Sequence, residues 1–296
     1  MLSSIINYGG LMVRRMILAA LHMLGSVVGH LLYVSRNRRY YNTLANLNLC
    51  FSSLSASEIK RLARQSLRET GKLLFEVLFF WIFPSGFYRR SICRVIGEEH
   101  LLRARAEGRG VILVSPHLGN WEVFNAYAGS YGAYVSYKPL SCGWMNRWIR
   151  HCRQLNGSKL FSIGNDGLKV LCESLGRGGI AVVFPDQVPE GGGRVIAPFF
   201  KAPAWTGTLV PRLASKKGAR VICGFARRLP HAQGFEIYLQ PAPEEIYGPD
   251  PIAAAEALNR GMEECIRLSP PQYTWEYKRF KGGIYKGLYC KTGISA

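Results

Sequence analysis

The spacing of apolar residues changes along this chain and divides it into three parts. From Met16 to Val34 (MILAALHMLGSVVGHLLYV), nineteen positions carry no formal charge, which fits a helix that crosses a bilayer or lies in its interface. Arg14 and Arg15 precede this run and Arg36, Arg38 and Arg39 follow it, so the positive-inside rule gives only a slight preference for a cytoplasmic downstream side. No small-residue cleavage site before the basic cluster argues for a secretory signal. Next, the capping box Ser55-x-x-Glu58 opens an amphipathic helix running from about Glu58 towards Ile82. Its second half is apolar on nearly every side except Glu76, as expected of a core helix or one that touches lipid.

From Arg94 onward, short β-branched runs alternate with helical periodicity. The pattern predicts strands near Val111 to Val114, Ala133 to Tyr137, Gly179 to Phe184, Arg220 to Ala226 and Phe235 to Leu239. Helices are expected near Trp144 to Gln154, Gly167 to Leu175, Thr208 to Lys217 and Pro251 to Leu268. The expected fold is therefore α/β, a central mixed sheet flanked by helices and preceded by an N-terminal membrane-anchoring helix. The division is an anchor over residues 1–35 and an α/β domain over 36–296.

Candidate chemistry starts at the first of these strands. In GVILVSPHLGNWEVFNAY, residues 110–127, the strand ends at Ser115-Pro116 and helical periodicity begins after Trp121. Were both His117 and Glu122 helical, a spacing of five would set them about 140° apart around the axis. They meet only if His117 precedes the helix, and Pro116, Gly119 and Asn120 favour that loop. A carboxylate on one imidazole nitrogen would fix the tautomer and leave the other nitrogen to take a proton from a hydroxyl. The spacing fits equally a helix cap followed by a first-turn glutamate.

Composition narrows the partners. The chain is 48% hydrophobic and 12% aromatic over 296 residues, which excludes a disordered tail protein. With 38 Lys and Arg against 19 Asp and Glu, its formal charge of +19 favours anionic partners, namely phospholipid surfaces, phosphorylated substrates, acidic proteins or nucleic acid. The eight cysteines form no CxxC pair and read as reduced thiols facing the cytosol, with no metal site expected.

Only three aspartates occur, Asp166, Asp186 and Asp250. Asp186, followed by Gln187, lies just past a Val-rich strand. If that strand runs parallel to and beside the one before His117, the two side chains share one crevice at the strands' carboxyl ends; an Asx-type turn is the other account. After Tyr137 and Lys138 come Arg147, Arg150 and Arg153, neighbours at helical spacing. They form a basic stripe for a phosphate or sulfate, or a solvated surface. Near the C-terminus, Tyr273 to Lys281 (YTWEYKRFK) mixes aromatic and basic residues, including Arg279. The mixture suits a membrane edge or an anionic head group, or else a tail strand with its aromatics turned inward.

No GxSxG elbow, GxxxxGK[ST] loop or HExxH helix is present. Direct attack by a substrate hydroxyl, assisted by His117, is then the simplest chemistry. His117 and Glu122 match the H-x4-[D/E] pattern of the glycerolipid acyltransferase superfamily. Tyr137-Lys138-Pro139, Pro185-Asp186-Gln187, Phe199-Phe200-x-x-Pro203-Ala204 and Pro271-Gln272-Tyr273-x-Trp275, leading to Lys278-Arg279-Phe280-Lys281, resemble its lipid A late acyltransferase branch of lauroyl and myristoyl type. The resemblance runs from the N-terminal apolar helix to Lys281.

It implies a bacterial inner-membrane enzyme, its catalytic domain on the cytoplasmic face. Such an enzyme moves a fatty acyl chain from acyl carrier protein to a hydroxyl of a lipid A precursor. By the same resemblance His117 is the base and Glu122 its orienter. Asp186 belongs to the active site, and Gln187, Lys138, Arg147, Arg150, Arg153 and Arg279 are candidates for binding substrate. The family often has Arg where this chain has Lys138, and the two differ in bidentate phosphate binding. A thioester donor is already activated, so a base, an oxyanion stabiliser and positioning suffice without cofactor or metal. Acyl carrier protein, a phosphorylated lipid A precursor and anionic inner-membrane phospholipid would all suit the positive charge. A relative acting on a lysophospholipid or another glycolipid, with acyl-CoA or acyl carrier protein as donor, is the alternative. The membrane-like N-terminus argues against nucleic acid as a partner.

Overall fold

The computed structural model describes residues 2–82, 87–137, 139–162, 165–282 and 284–289. Three helices lead the chain: α1 (Leu2–Val34), α2 (Arg38–Cys50) and α3 (Ala56–Ile82). Then follow α4 (Phe87–Ser91), β1 (Ile92–Ile96), α5 (Glu98–Ala106), β2 (Val111–Val114), α6 (Trp121–Gly129), β3 (Tyr134–Tyr137), α7 (Gly143–Leu155), β4 (Lys159–Ser162), α8 (Asn165–Gly176) and β5 (Ile180–Val183). The last elements are β6 (Arg194–Phe199), β7 (Ala202–Gly207), α9 (Leu209–Lys217), β8 (Arg220–Arg228), β9 (Phe235–Pro241) and α10 (Pro251–Leu268).

The sheet order is β1-β9-β8-β2-β5-β3-β4, and every neighbouring pair is parallel except β8 with β9. The mixed α/β sheet expected from the sequence is thus present. At its centre β2 (VILV) and β5 (IAVV) are buried on both faces, which is why they read as unbroken apolar runs. Alternate side chains feed two cores. Ile112 and Val114 join α2, the first half of α3, α8, α9 and α10 on one face. Val111 and Leu113 join α5, α6, Phe80 and Leu18 on the other.

Four strands escaped the sequence reading. β1 and β4 are the sheet's edges and are largely exposed or half-buried, so they lack the apolar signature of the centre. The β6–β7 hairpin pairs Pro198 with Pro203 across its ladder, and paired prolines read as a turn rather than a strand.

Within α1, Met12–Val34 is long and apolar enough to cross a membrane by length and composition. Its inner side packs antiparallel along α3. Gly25 and Gly71 let the two backbones approach so closely that a Cβ at either position would collide with the opposite helix. At this seam His22 Nε2 meets Glu76 Oε1 at 2.6 Å. Glu76, the one charge in the apolar half of α3, also accepts from Arg228 Nε and Nη2, each at 2.5 Å, and from Asn120 Nδ2 at 2.9 Å. Fully buried, it ties the leading helix to β8 and to the first turn of α6.

Candidate active site

Parallel pairing of β2 with β5 aligns Val114 with Val183. Each strand runs on three residues past that pair, and these extensions deliver His117 and Asp186 to the same place at the carboxyl edge of the sheet. Asp186 holds His117 at two points: Oδ1 lies 2.7 Å from Nδ1, and Oδ2 accepts the backbone N–H at 3.0 Å. The imidazole stands edge to face with Trp121, with ring centroids 5.5 Å apart, and beside Phe184 at 5.1 Å. Its Nε2, the nitrogen left for chemistry, has the exposed Gln187 amide 3.5 Å away.

The loop carrying His117 is held from below. Thr274 donates both its backbone N–H and its hydroxyl to the His117 carbonyl, each at 3.1 Å. Gly119 N–H donates to Gln272 O and Asn120 N–H to Ala226 O. Gly119 has φ 63°, and a Cβ there would strike the Ala226 carbonyl, so the approach of this loop to β8 requires glycine. Asn120 then caps α6, its Oδ1 accepting from the N–H groups of Glu122 and Val123.

Electrostatically the pair is a buried carboxylate and an imidazole that favour each other's charge. Burial pulls the His117 pKa down, but the charge and hydrogen bond of Asp186 outweigh it, and the net direction is up. Burial pushes Asp186 up, but His117, with help from the Arg279 guanidinium, brings it below its ordinary value. Burial and the neighbouring Asp186 push the Tyr273 phenol well up, so it stays protonated.

Glu122 does not meet His117 Nδ1; Asp186 occupies that position. Helix α6 begins at Trp121, as the loop reading required, but its first turn faces α7. There Glu122 Oε1 and Oε2 accept from Arg153 Nη2 and Nε at 2.5 and 3.1 Å. The pattern H-x4-E thus holds two groups with separate partners. The basic stripe is divided as well. Arg153 is bound to Glu122, Arg150 lies over the Tyr137 ring at 5.7 Å, and Arg147 is exposed beside Trp144, Trp148 and His151. Lys138 lies outside the described residues.

Arg279 departs furthest from expectation. It is 2% exposed and donates to Trp205 O, Thr206 Oγ1 and Asn259 Oδ1, so it supports the site from inside and cannot reach a substrate. The aromatic residues around it face inward too: Tyr273, Trp275 and Phe280 are core side chains. The C-terminal cluster is therefore the floor of the His117 loop, not a membrane edge.

A family model for bacterial lipid A biosynthesis acyltransferases matches residues 1–282. The chain belongs to this family. It is 28% identical over 271 residues to the lipid A biosynthesis lauroyltransferase of Escherichia coli, covering 88% of this chain and 85% of the relative. The palmitoleoyltransferase of the same organism is also 28% identical, over 87% of this chain and 84% of its own. A lipid A biosynthesis acyltransferase of Haemophilus influenzae is 24% identical over 85% and 77%. In this acyltransferase two contributors to the site were missed by sequence reasoning, Thr274 under the His117 carbonyl and the buried Glu76–Arg228 pair behind Asn120. The string Pro271-Gln272-Tyr273-x-Trp275 was a signal for the first; the lone Glu76 in an apolar helix was one for the second.

Proposed function

We propose that this enzyme transfers a fatty acyl chain from acyl carrier protein to a hydroxyl of a lipid A precursor at the cytoplasmic face of the bacterial inner membrane, with α1 as its anchor. The observation that carries the mechanism is the His117–Asp186 pair. With Nδ1–H donating to Asp186, Nε2 is an acceptor facing the open side of the site. As the acceptor hydroxyl attacks the thioester carbonyl, its proton passes to His117 Nε2 and the carbonyl oxygen takes the negative charge. Collapse re-forms the carbonyl, breaks the C–S bond and expels the carrier thiolate, which recovers the proton from the imidazolium. Asp186 stabilises that imidazolium without accepting its proton. The Gln187 amide, beside Nε2, is the neutral donor available to steady an oxygen of the reacting groups. Glu122 and Arg153 brace α6 against α7 beside this centre. An acidic carrier protein and a phosphorylated acceptor both complement a chain of formal net charge +19.

Mass spectrometry of lipid A from cells with and without the protein tests the activity. Loss of one acyl chain from lipid A, with transfer by the purified enzyme from acyl carrier protein faster than from acyl-CoA, is the expected result. An unchanged lipid A with an altered phospholipid or other glycolipid would overturn it.

The pH dependence follows from the pair. A base must be neutral, and Asp186 holds the imidazole pKa above its ordinary value, so kcat/KM should rise with pH through a midpoint above about 6.5. In Asp186→Asn the loss of the charge should move that midpoint to lower pH while the plateau falls. A midpoint unchanged by the substitution would mean that the limb reports another group.

A further inference from the structure

Helix α7 is amphipathic in an unusual sense. Ile149 and Cys152 face inward, while Trp144, Trp148 and Leu155 share an adjoining side, about 90° further around the axis, and stand exposed, Trp144 at 65% and Trp148 at 45%. Arg147 and His151 border this stripe and are exposed as well. A second apolar stripe lies on α3, where Leu74, Leu78 and Ile82 are exposed at every fourth residue. The two helices touch through Trp148, whose indole N–H donates to the Trp81 carbonyl at 2.7 Å; the Cys152 thiol donates to the same carbonyl at 3.2 Å. A third stripe continues on α1, where Met16, Met23, Val27 and Leu31 face away from the seam that holds Leu18, His22 and Gly25 against α3.

We propose that α7, the second half of α3 and the outer side of α1 form one lipid-docking face, with Trp144 and Trp148 at the headgroup level of an anionic bilayer. Three observations select lipid as the occupant. Tryptophan bordered by arginine is the composition of a membrane interface, where the ring enters the apolar boundary and the cation stays with phosphate. The carbonyl that closes α3 at its junction with α7 is already satisfied within the protein. Trp81 O belongs to the last turn of α3, where helical carbonyls lack intrahelical partners, and Trp148 and Cys152 supply what water would otherwise give. The face is also continuous with α1, whose outward apolar stripe runs about 27 Å from Met16 to Val34 at helical rise and has no protein over it in the described chain. Through Arg153, α7 is fastened to Glu122 one residue after Trp121, the ring beside His117. Docking by this face therefore sets the lipid surface at the flank of the site.

The test uses the full-length protein bound to phosphatidylethanolamine–phosphatidylglycerol vesicles whose acyl chains carry bromine, a quencher of tryptophan fluorescence. The Trp144 signal is taken as the difference between wild type and Trp144→Phe. Brominated chains should quench most of it, and aqueous iodide should quench it far less in vesicles than in detergent-free unfolded protein. The double variant Trp144→Ser/Leu155→Ser, altered only at exposed positions, should bind vesicles about tenfold more weakly with an unchanged circular dichroism spectrum. Full iodide access to Trp144 on vesicles, with no effect of brominated chains, would overturn the proposal. So would protection of Trp144 by an acidic carrier protein in place of lipid. Neither readout involves acyl transfer, so failure here leaves the reading of the activity standing, and failure of that reading leaves this face intact.

Discussion

Asp186→Asn is expected to lower kcat for acyl transfer about 10⁴-fold, the scale of loss when a triad carboxylate becomes an amide. The geometry explains why the amide fails. Asp186 accepts from two donors of one residue, the His117 backbone N–H and Nδ1–H, on two oxygens. Asparagine offers one oxygen and one NH₂. With its oxygen on the backbone N–H, its NH₂ faces Nδ1 and drives the ring proton to Nε2, where the base must be bare. His117→Ala should abolish transfer altogether. Glu122→Gln should cost less, about 10²-fold, because it loosens the α6–α7 brace and shifts the site without removing the orienter. Steady-state rates of the three variants, each checked for native melting behaviour, decide the ranking.

Glu76→Ala should be the most destabilising single change away from the His117–Asp186 pair. It leaves the Arg228 guanidinium in the core with Glu69 Oε2 as its remaining carboxylate partner at 2.7 Å, strands the amide of Asn120 and removes the partner of His22 across the α1 seam. Removing one member of a buried ion pair costs about 3–5 kcal/mol. For a chain of this size that lowers the melting temperature by about 6–20 °C. Adding Arg228→Met should restore part of the loss, since the uncompensated charge goes with it. Burial pushes the Glu76 carboxyl up, but Arg228 and His22 hold it down to about 2. Its folded pKa being the lower one, its contribution is present above the ordinary carboxylate range and fades as pH falls towards 2. Thermal melts of wild type in detergent at neutral and acid pH, beside those of Glu76→Ala, check both statements. A variant that melts as wild type does at neutral pH would show the network to be dispensable.

The central strands, the helical flanks and the loop position of His117 were legible because β2 and β5 are apolar throughout and Pro116, Gly119 and Asn120 break helical periodicity. The meeting of His117 with Asp186 was legible only conditionally, as a consequence of parallel neighbouring strands. Sequence spacing favoured Glu122 as the partner because it is near in the chain. Three long-range contacts decide otherwise: the β2–β5 register, the Thr274 hold on the His117 carbonyl and the Gly119 approach to β8. Arg279 misled for a related reason. An arginine in a run of lysines and aromatics reads as surface, and only the positions of Trp205, Thr206 and Asn259 turn it inward. Likewise the arginine stripe on α7 keeps its helical spacing, while the neighbouring elements give each of its members a different setting.

The most direct measurement of the central claim, that Asp186 sets the tautomer of His117, the proposed base, is nitrogen NMR of the enzyme labelled at its six histidines. The His117 signals are identified by their loss in His117→Gln. Above the imidazole pKa, wild type should show a proton on Nδ1 and a bare Nε2; that pattern should survive Glu122→Gln and disappear in Asp186→Asn. A wild-type proton on Nε2, or an Nδ1 proton lost with Glu122 and kept without the Asp186 carboxylate, would contradict the account.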